Sequence, residues 1–227
     1  MSSAVHSYLG AREERFFLES ITVPSKFSDY RPITWKECQG DNGLIEFPDN
    51  METVLIDEVV EFLETQRDQS LWYSIISNMN YDYGEPVSHV AEWMLQQDDC
   101  DVAIAVLAYS LMSGEYFCGV QHETECCVSV EFLKPLRIIE ARETTRPFKE
   151  NALKVPKRDL YLFDQSEMLE ISVNAAARLA SSQGTGTKVT GLISVPENLL
   201  KTELKGTVPL SSYVAFDTGP MVVPIGQ

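Results

Sequence analysis

The chain has 227 residues, 44% hydrophobic and 10% aromatic, which is enough apolar material for a packed core and excludes global disorder. Its 34 acidic residues against 18 basic ones leave a net charge of −16. Such a field repels nucleic acid and anionic membrane and speeds encounter with a cationic partner.

Residues 1–15 lack a basic stretch followed by an apolar run and instead reach Arg12, Glu13, Glu14 and Arg15 early. No signal peptide is read there, and a cytoplasmic setting is expected. Five cysteines (Cys38, Cys100, Cys118, Cys126, Cys127) have no regular spacing, which fits reduced thiols better than a disulfide framework. Residues 22–50 carry Pro24, Pro32, Gly40, Asp41, Asn42, Gly43 and Pro48, so they read as loops with short strands at Ile33–Trp35 and Leu44–Phe47.

Helices are expected from about 50 to 115. Asp49 or Asn50 can cap a first helix in which Met51, Leu55, Val59 and Phe62 form one stripe and Glu58, Glu61 and Glu64 face outward. A second helix is expected at Gln69–Met79, burying Leu71, Ile75 and Ile76. A third begins at Pro86 and repeats apolar residues at Val87, Val90, Ala91, Met94 and Leu95. A fourth follows the capping residues Asp98 and Asp99, and its body, Val102–Met112, is apolar nearly all round, with Gly114 as the stop. That stretch is about half the ~20 residues a membrane span needs. In 126–143, Val128, Val130 and Phe132 alternate like a strand, while Phe132, Leu133, Leu136, Ile138 and Ile139 look helical; a helix over about 129–142 is the favoured reading, with Pro135 disfavouring an interior position.

After Thr144 a basic stretch leads to an expected strand at Asp159–Phe163 and a helix at Ser166–Ala180. A Gly/Ser/Thr-rich run, 181–187, and strand-like pieces at Val189–Val195, Val208–Phe216 and Met221–Ile225 complete the chain. The expected class is α+β, with an acidic, mainly helical domain at 1–144 and a mixed, strand-rich region at 145–227. Residues 1–133 hold 24 acids against 6 bases, and residues 134–227 hold 10 against 12. Between Arg67 and Lys134 there is no Lys or Arg, yet that interval contains eleven carboxylates. An ordinary surface mixes the signs.

Within 71–118, Leu71-Trp72 opens a helix, Asn80-Tyr81-Asp82-Tyr83-Gly84 and Pro86 open the next, and Cys100-Asp101 precedes an Ala-rich apolar helix ending at Tyr116-Phe117. This pattern resembles the bacterial family known as domain of unknown function 4274, in which an Asn-aromatic-Asp-x-Gly turn, a Pro and a Cys-Asp pair recur in that order. Tyr81 stands where the family more often has Trp. The resemblance implies a helical fold and a bacterial source and carries no established chemistry. Small acidic bacterial domains often serve as immunity partners of secreted toxins, which is an association rather than a physical argument.

The segment Asn80–Pro86 has a sufficient reading as a turn, with Asn80 ending a helix in the left-handed region, Asp82 bonding local backbone and Gly84 supplying positive φ. A ligand site is the sharper alternative. His89 and Trp93 lie opposite the apolar stripe of the third helix, flanked by Glu85 and Glu92, so Trp93 is either an interface anchor or covered by another layer. Asp98, Asp99 and Asp101 lack the spacing, turn glycine and terminal Glu of a calcium loop and read as caps. Cys118, His122, Cys126 and Cys127 contain no C-x-x-C pair, so neither zinc nor a Cys–His nucleophile is favoured, and no metal or cofactor is expected. Gly184–Lys188 lacks the remaining residues of a phosphate loop and reads as a connector.

The leading expectation is a non-catalytic binding protein of immunity type that covers a cationic toxin domain, with no nucleic-acid or membrane partner. The partner-binding residues are Asp82, Glu85, His89, Glu92 and Trp93, with Asp98 and Asp99 beside them. Two alternatives stay open: a hydrolase whose carboxylates are dispersed in sequence, and an adaptor or regulatory module.

Overall fold

A computed structural model describes residues 26–182, 190–209 and 213–226. The readings of residues 1–15 and 184–188, and the parts of the expected tail strands at 189 and 210–212, lie outside these. The class is α+β: eight helices and a small antiparallel sheet among the described residues.

The helices are α1 (Val59–Thr65), α2 (Gln69–Asn78), α3 (Gly84–Gln96), α4 (Val102–Leu111), α5 (Gly114–Phe117), α6 (Leu133–Thr145), α7 (Gln165–Ser182) and α8 (Glu197–Lys201). α4 is the hub, and its residues Val102 to Ser110 are all buried. An all-round apolar helix can satisfy its surface only by having neighbours on every side. α2, α3, α5, α6 and α8 supply them. α3 buries the stripe its sequence announces, Val87, Val90, Ala91, Met94 and Leu95. It begins at Gly84, so Pro86 is the third helical residue. Pro is tolerated there because first-turn N–H groups have no intrahelical acceptor. The same logic places Pro135 in the first turn of α6, after a 3₁₀ turn at Val130–Phe132.

Four strands, β1 (Tyr30–Pro32), β2 (Glu52–Thr53), β3 (Ala215–Phe216) and β4 (Gly219–Pro224), form the sheet. β4 lies between β1 and β2, pairing Arg31 with Val223 and Thr53 with Met221, and β3 folds back on its start. Successive side chains of a strand point to opposite faces. Val222 accordingly joins the main core, while Met221 and Val223 join a small second cluster with Ile33, Cys38 and Val214.

Several expected elements differ. Residues 51–55 are not helical: Glu52 and Thr53 pair with β4, Val54 N–H donates to Pro220 O, and Leu55 is 56% exposed, whereas Ile56–Glu58 form a 3₁₀ turn leading into α1. The stripe that includes Met51 and Leu55 loses to the unpaired backbone of β4, which needs a partner on that edge. The strand expected at Ile33–Trp35 lies earlier, at Tyr30–Pro32, and Leu44–Phe47 contributes only a single bridge from Ile45 to Gln39. Asp159–Phe163 is no strand; a 3₁₀ turn at Lys157–Asp159 precedes it. Residues 197–201, read without an element, form α8.

Asp101, not Asp98 or Asp99, caps α4. Its Oδ1 accepts from Ala103 N–H at 2.8 Å, and Oδ2 accepts from Ala152 N–H at 2.6 Å and Leu153 N–H at 3.2 Å. One buried carboxylate thereby ties the start of α4 to the chain beyond residue 145. Leu153, Met168, Ile193, Leu199 and Ala215 fill the same core as α2–α4. A second tie is Arg142 of α6, 5% exposed, which donates to Leu95 O at 2.7 Å, Gln97 O at 2.8 Å and Arg146 O at 2.9 Å. It satisfies carbonyls at the C-terminus of α3, where a cation is also favoured by the helix dipole.

Candidate binding face and the adjoining clefts

The basic-free interval is less bare in three dimensions than in sequence. Arg67 pairs with Asp99 at 2.5 Å, Arg146 pairs with Asp98, and Arg137 approaches Glu123 at 3.7 Å. Asp68 caps α2 through Ser70 N–H and accepts from Tyr213 Oη at 2.7 Å. Asp101 is spent on backbone donors, and Glu131 accepts from Ser129 Oγ. Cations placed before and after the interval therefore return to pair with three of its eleven carboxylates. Asp98 and Asp99 are ion-paired residues of the α3–α4 link rather than helix caps.

The carboxylates left without a side-chain hydrogen bond or ion pair among the described residues include Asp82 and Glu85. Asp82 sits in the α2–α3 turn, and Glu85, His89 and Glu92 follow at helical spacing along the outer side of α3. Asp82, Glu85 and His89 are exposed and Glu92 is half-buried. Glu92 accepts from Gln96 Nε2 at 3.2 Å. Trp93 is turned away from this group. Its ring meets Trp72 edge-on with centroids 5.3 Å apart, and the Arg67 guanidinium lies 4.8 Å from the Trp72 ring and 5.2 Å from the Trp93 ring. What covers Trp93 is Arg67 and Trp72 of α2, a layer the sequence does not single out.

The turn itself is built differently from its expected form. Asn80 Oδ1 accepts from Asp82 N–H at 3.0 Å, so Asn80 rather than Asp82 makes the local side-chain bond. Among the described residues the positive-φ glycines are Gly43, Gly219 and Gly226, and Gly84 is not one of them. Its need is space: a Cβ at Gly84 would run into the Ser129 hydroxyl. That close approach seats the turn against the segment before α6.

Two adjoining cavities open beside the turn. One, of about 570 Å³, is lined by Trp35, Tyr73, Asn78, Arg158, Asp159 and Tyr213 among others. There Tyr73 Oη donates to Asp159 Oδ2 at 2.7 Å and Arg158 pairs with Asp159 at 3.3 Å. The other, of about 540 Å³, includes Tyr81, Asp82, Ser113, Ser129 and Phe132. Leu111 and Tyr161 line both. Ser113 is the one non-glycine among the described residues with positive φ, at 54°. Of these residues only Asp82 was a candidate on sequence grounds. The rest meet only in the fold, since Tyr161 lies far along the chain from the turn.

Four of the thiols are held protonated by their surroundings. Burial raises Cys38, Cys100 and Cys126 above the ordinary thiol value and pushes Cys118 up to about 11. Among the described residues no three His, Cys, Asp or Glu side chains are grouped to hold a metal ion, and no helix is long and apolar enough to cross a membrane.

Residues 67–141 match the model of the family described as domain of unknown function (DUF4274). The match widens the resemblance seen at 71–118 and covers α2 to most of α6, leaving the sheet, α1, α7 and α8 outside it. No curated protein and no solved structure matches the chain.

Proposed function

We propose that this chain is a non-catalytic binding protein of immunity type, which docks a basic toxin domain on the acidic outer side of α3. The observation that carries the reading is the contrast within one interval. Asp98, Asp99 and Glu123 have internal cations, whereas Asp82 and Glu85 have none among the described residues. A carboxylate with no internal counter-charge leaves its field available to an approaching Lys or Arg, and such fields raise association rates far more than they hold complexes together. Five free thiols, three of them buried, support a reducing compartment and hence the cytoplasm.

The test is retention of partners from the native cell on the tagged full chain at low salt, followed by association kinetics with whatever basic protein elutes. The association rate should fall by about tenfold or more between low and high ionic strength, as screening shortens to ~3 Å at 1 M. Glu85→Gln combined with Glu92→Gln should slow association several-fold and leave dissociation nearly unchanged. A rate indifferent to salt would sink the electrostatic reading.

A further inference from the structure

The cavity beside Asp82 differs from its neighbour in one respect that matters chemically. In the neighbouring cavity the acid, Asp159, already holds Arg158. No Lys or Arg is among the described residues lining the second cavity, and Asp82 there has no side-chain partner among them.

Three aromatic residues share that lining. Tyr81 and Phe132 meet edge to face with centroids 5.9 Å apart, and Tyr81 is fixed by its hydroxyl donating to Ile76 O at 2.8 Å. Tyr161 is 68% exposed at the rim, held by its backbone N–H on Ser110 Oγ at 3.2 Å. Leu111 and Val128 add an apolar wall. Ser113 lines the same space, in the left-handed conformation that ends α4. Aromatic faces attract cations through their quadrupole, and a nearby carboxylate adds a charge-assisted hydrogen bond. An apolar wall suits the aliphatic stem of a long basic side chain.

We propose that this cavity is a cation pocket that receives the head group of one Lys or Arg side chain of the basic partner. The assignment of the source rests on the binding reading above, whereas the pocket rests on its own geometry.

The experiment is an amide-resolved NMR titration of the full chain with four probes: N-acetyl-lysine amide, N-acetyl-arginine amide, tetramethylammonium and the neutral N-acetyl-norleucine amide. Shifts should gather at 81–82, 113, 127–132 and 161. The lysine or arginine amide should bind about tenfold more tightly than the norleucine amide, the scale of one cation–aromatic contact plus an ion pair. Asp82→Asn and Tyr161→Leu, both at exposed positions and checked for fold by circular dichroism, should each weaken binding several-fold. Equal affinity for the norleucine amide, or undiminished affinity in Asp82→Asn, overturns the pocket. Tetramethylammonium binding without the two amides overturns the side-chain assignment in favour of a free organic cation. Failure of both amides while a basic protein is still captured in a salt-sensitive way overturns the pocket and leaves the α3 face standing. Normal amide binding with no basic protein captured overturns the partner as source.

Discussion

Replacing Arg142 by Met keeps most of the side-chain volume and removes the guanidinium. The three carbonyls it serves, Leu95 O, Gln97 O and Arg146 O, then lose their donor in a site where Arg142 is 5% exposed. Hydrogen bonds to a charged donor contribute about 1.5–3 kcal/mol each, and the stacking of the guanidinium on Phe148 at 3.8 Å adds ~0.5–2 kcal/mol. Against that stands relief from holding a cation out of water with no carboxylate hydrogen-bonded to it, worth several kcal/mol. The net loss expected is about 2–4 kcal/mol, a large part of the ~5–15 kcal/mol that holds a typical fold. Urea unfolding followed by far-ultraviolet circular dichroism and Trp fluorescence measures it. With a slope of ~1–3 kcal/mol per molar urea, the midpoint should drop by about 1 M or more. Arg142→Lys should recover only part of the loss, because a single ammonium cannot reproduce the planar fork. Amide exchange should quicken first at 97–100, where α3 ends. A Met variant within ~0.5 kcal/mol of the parent, with exchange unchanged there, would refute the reasoning.

Glu115 has a carboxylate oxygen that is buried and bonded to nothing, and burial raises its pKa above the ordinary carboxylate value. The folded state therefore keeps this proton to higher pH than the unfolded state, so stability falls as pH rises from the ordinary value through the raised one. Glu115→Gln should flatten that part of the stability–pH curve and leave the acid side nearly unchanged; a parallel curve for both proteins would contradict the assignment. Gly84→Ala should cost about 1–2 kcal/mol by pressing on the Ser129 hydroxyl, as overpacking does. In a Ser129→Ala background the cost should shrink, and thermal denaturation of the four proteins measures the coupling.

Legibility varied with how local the cause was. The α3 stripe and the apolar run of α4 follow from side-chain periodicity, and both elements formed where their residues predicted. Asp98, Asp99 and Asp101 are equally good caps by residue type. Asp101 caps α4 through Ala103 N–H, and its second oxygen serves Ala152 and Leu153, an approach invisible along the sequence. Residues 51–55 carry a helical pattern and yield to a strand more than a hundred residues away. Trp93 lies off the stripe and reads as either an interface anchor or a covered residue; the packing of Arg67 and Trp72 against it is set by the fold and not by the helix pattern. The pocket follows the same rule: Asp82 sits in a recognisable turn motif, while Phe132 and Tyr161 reach it from separate stretches.

The central place of β4 sets the order in which this molecule can be completed. Thr53 and Met221, partners across the sheet, stand 168 positions apart. During synthesis β1 and β2 emerge more than 160 residues before β4, their partner in the sheet. Contacts of such span are slow to close and leave strand edges exposed to other chains in the interval. Shortening the chain before residue 219 would strip both early strands of their partner at once.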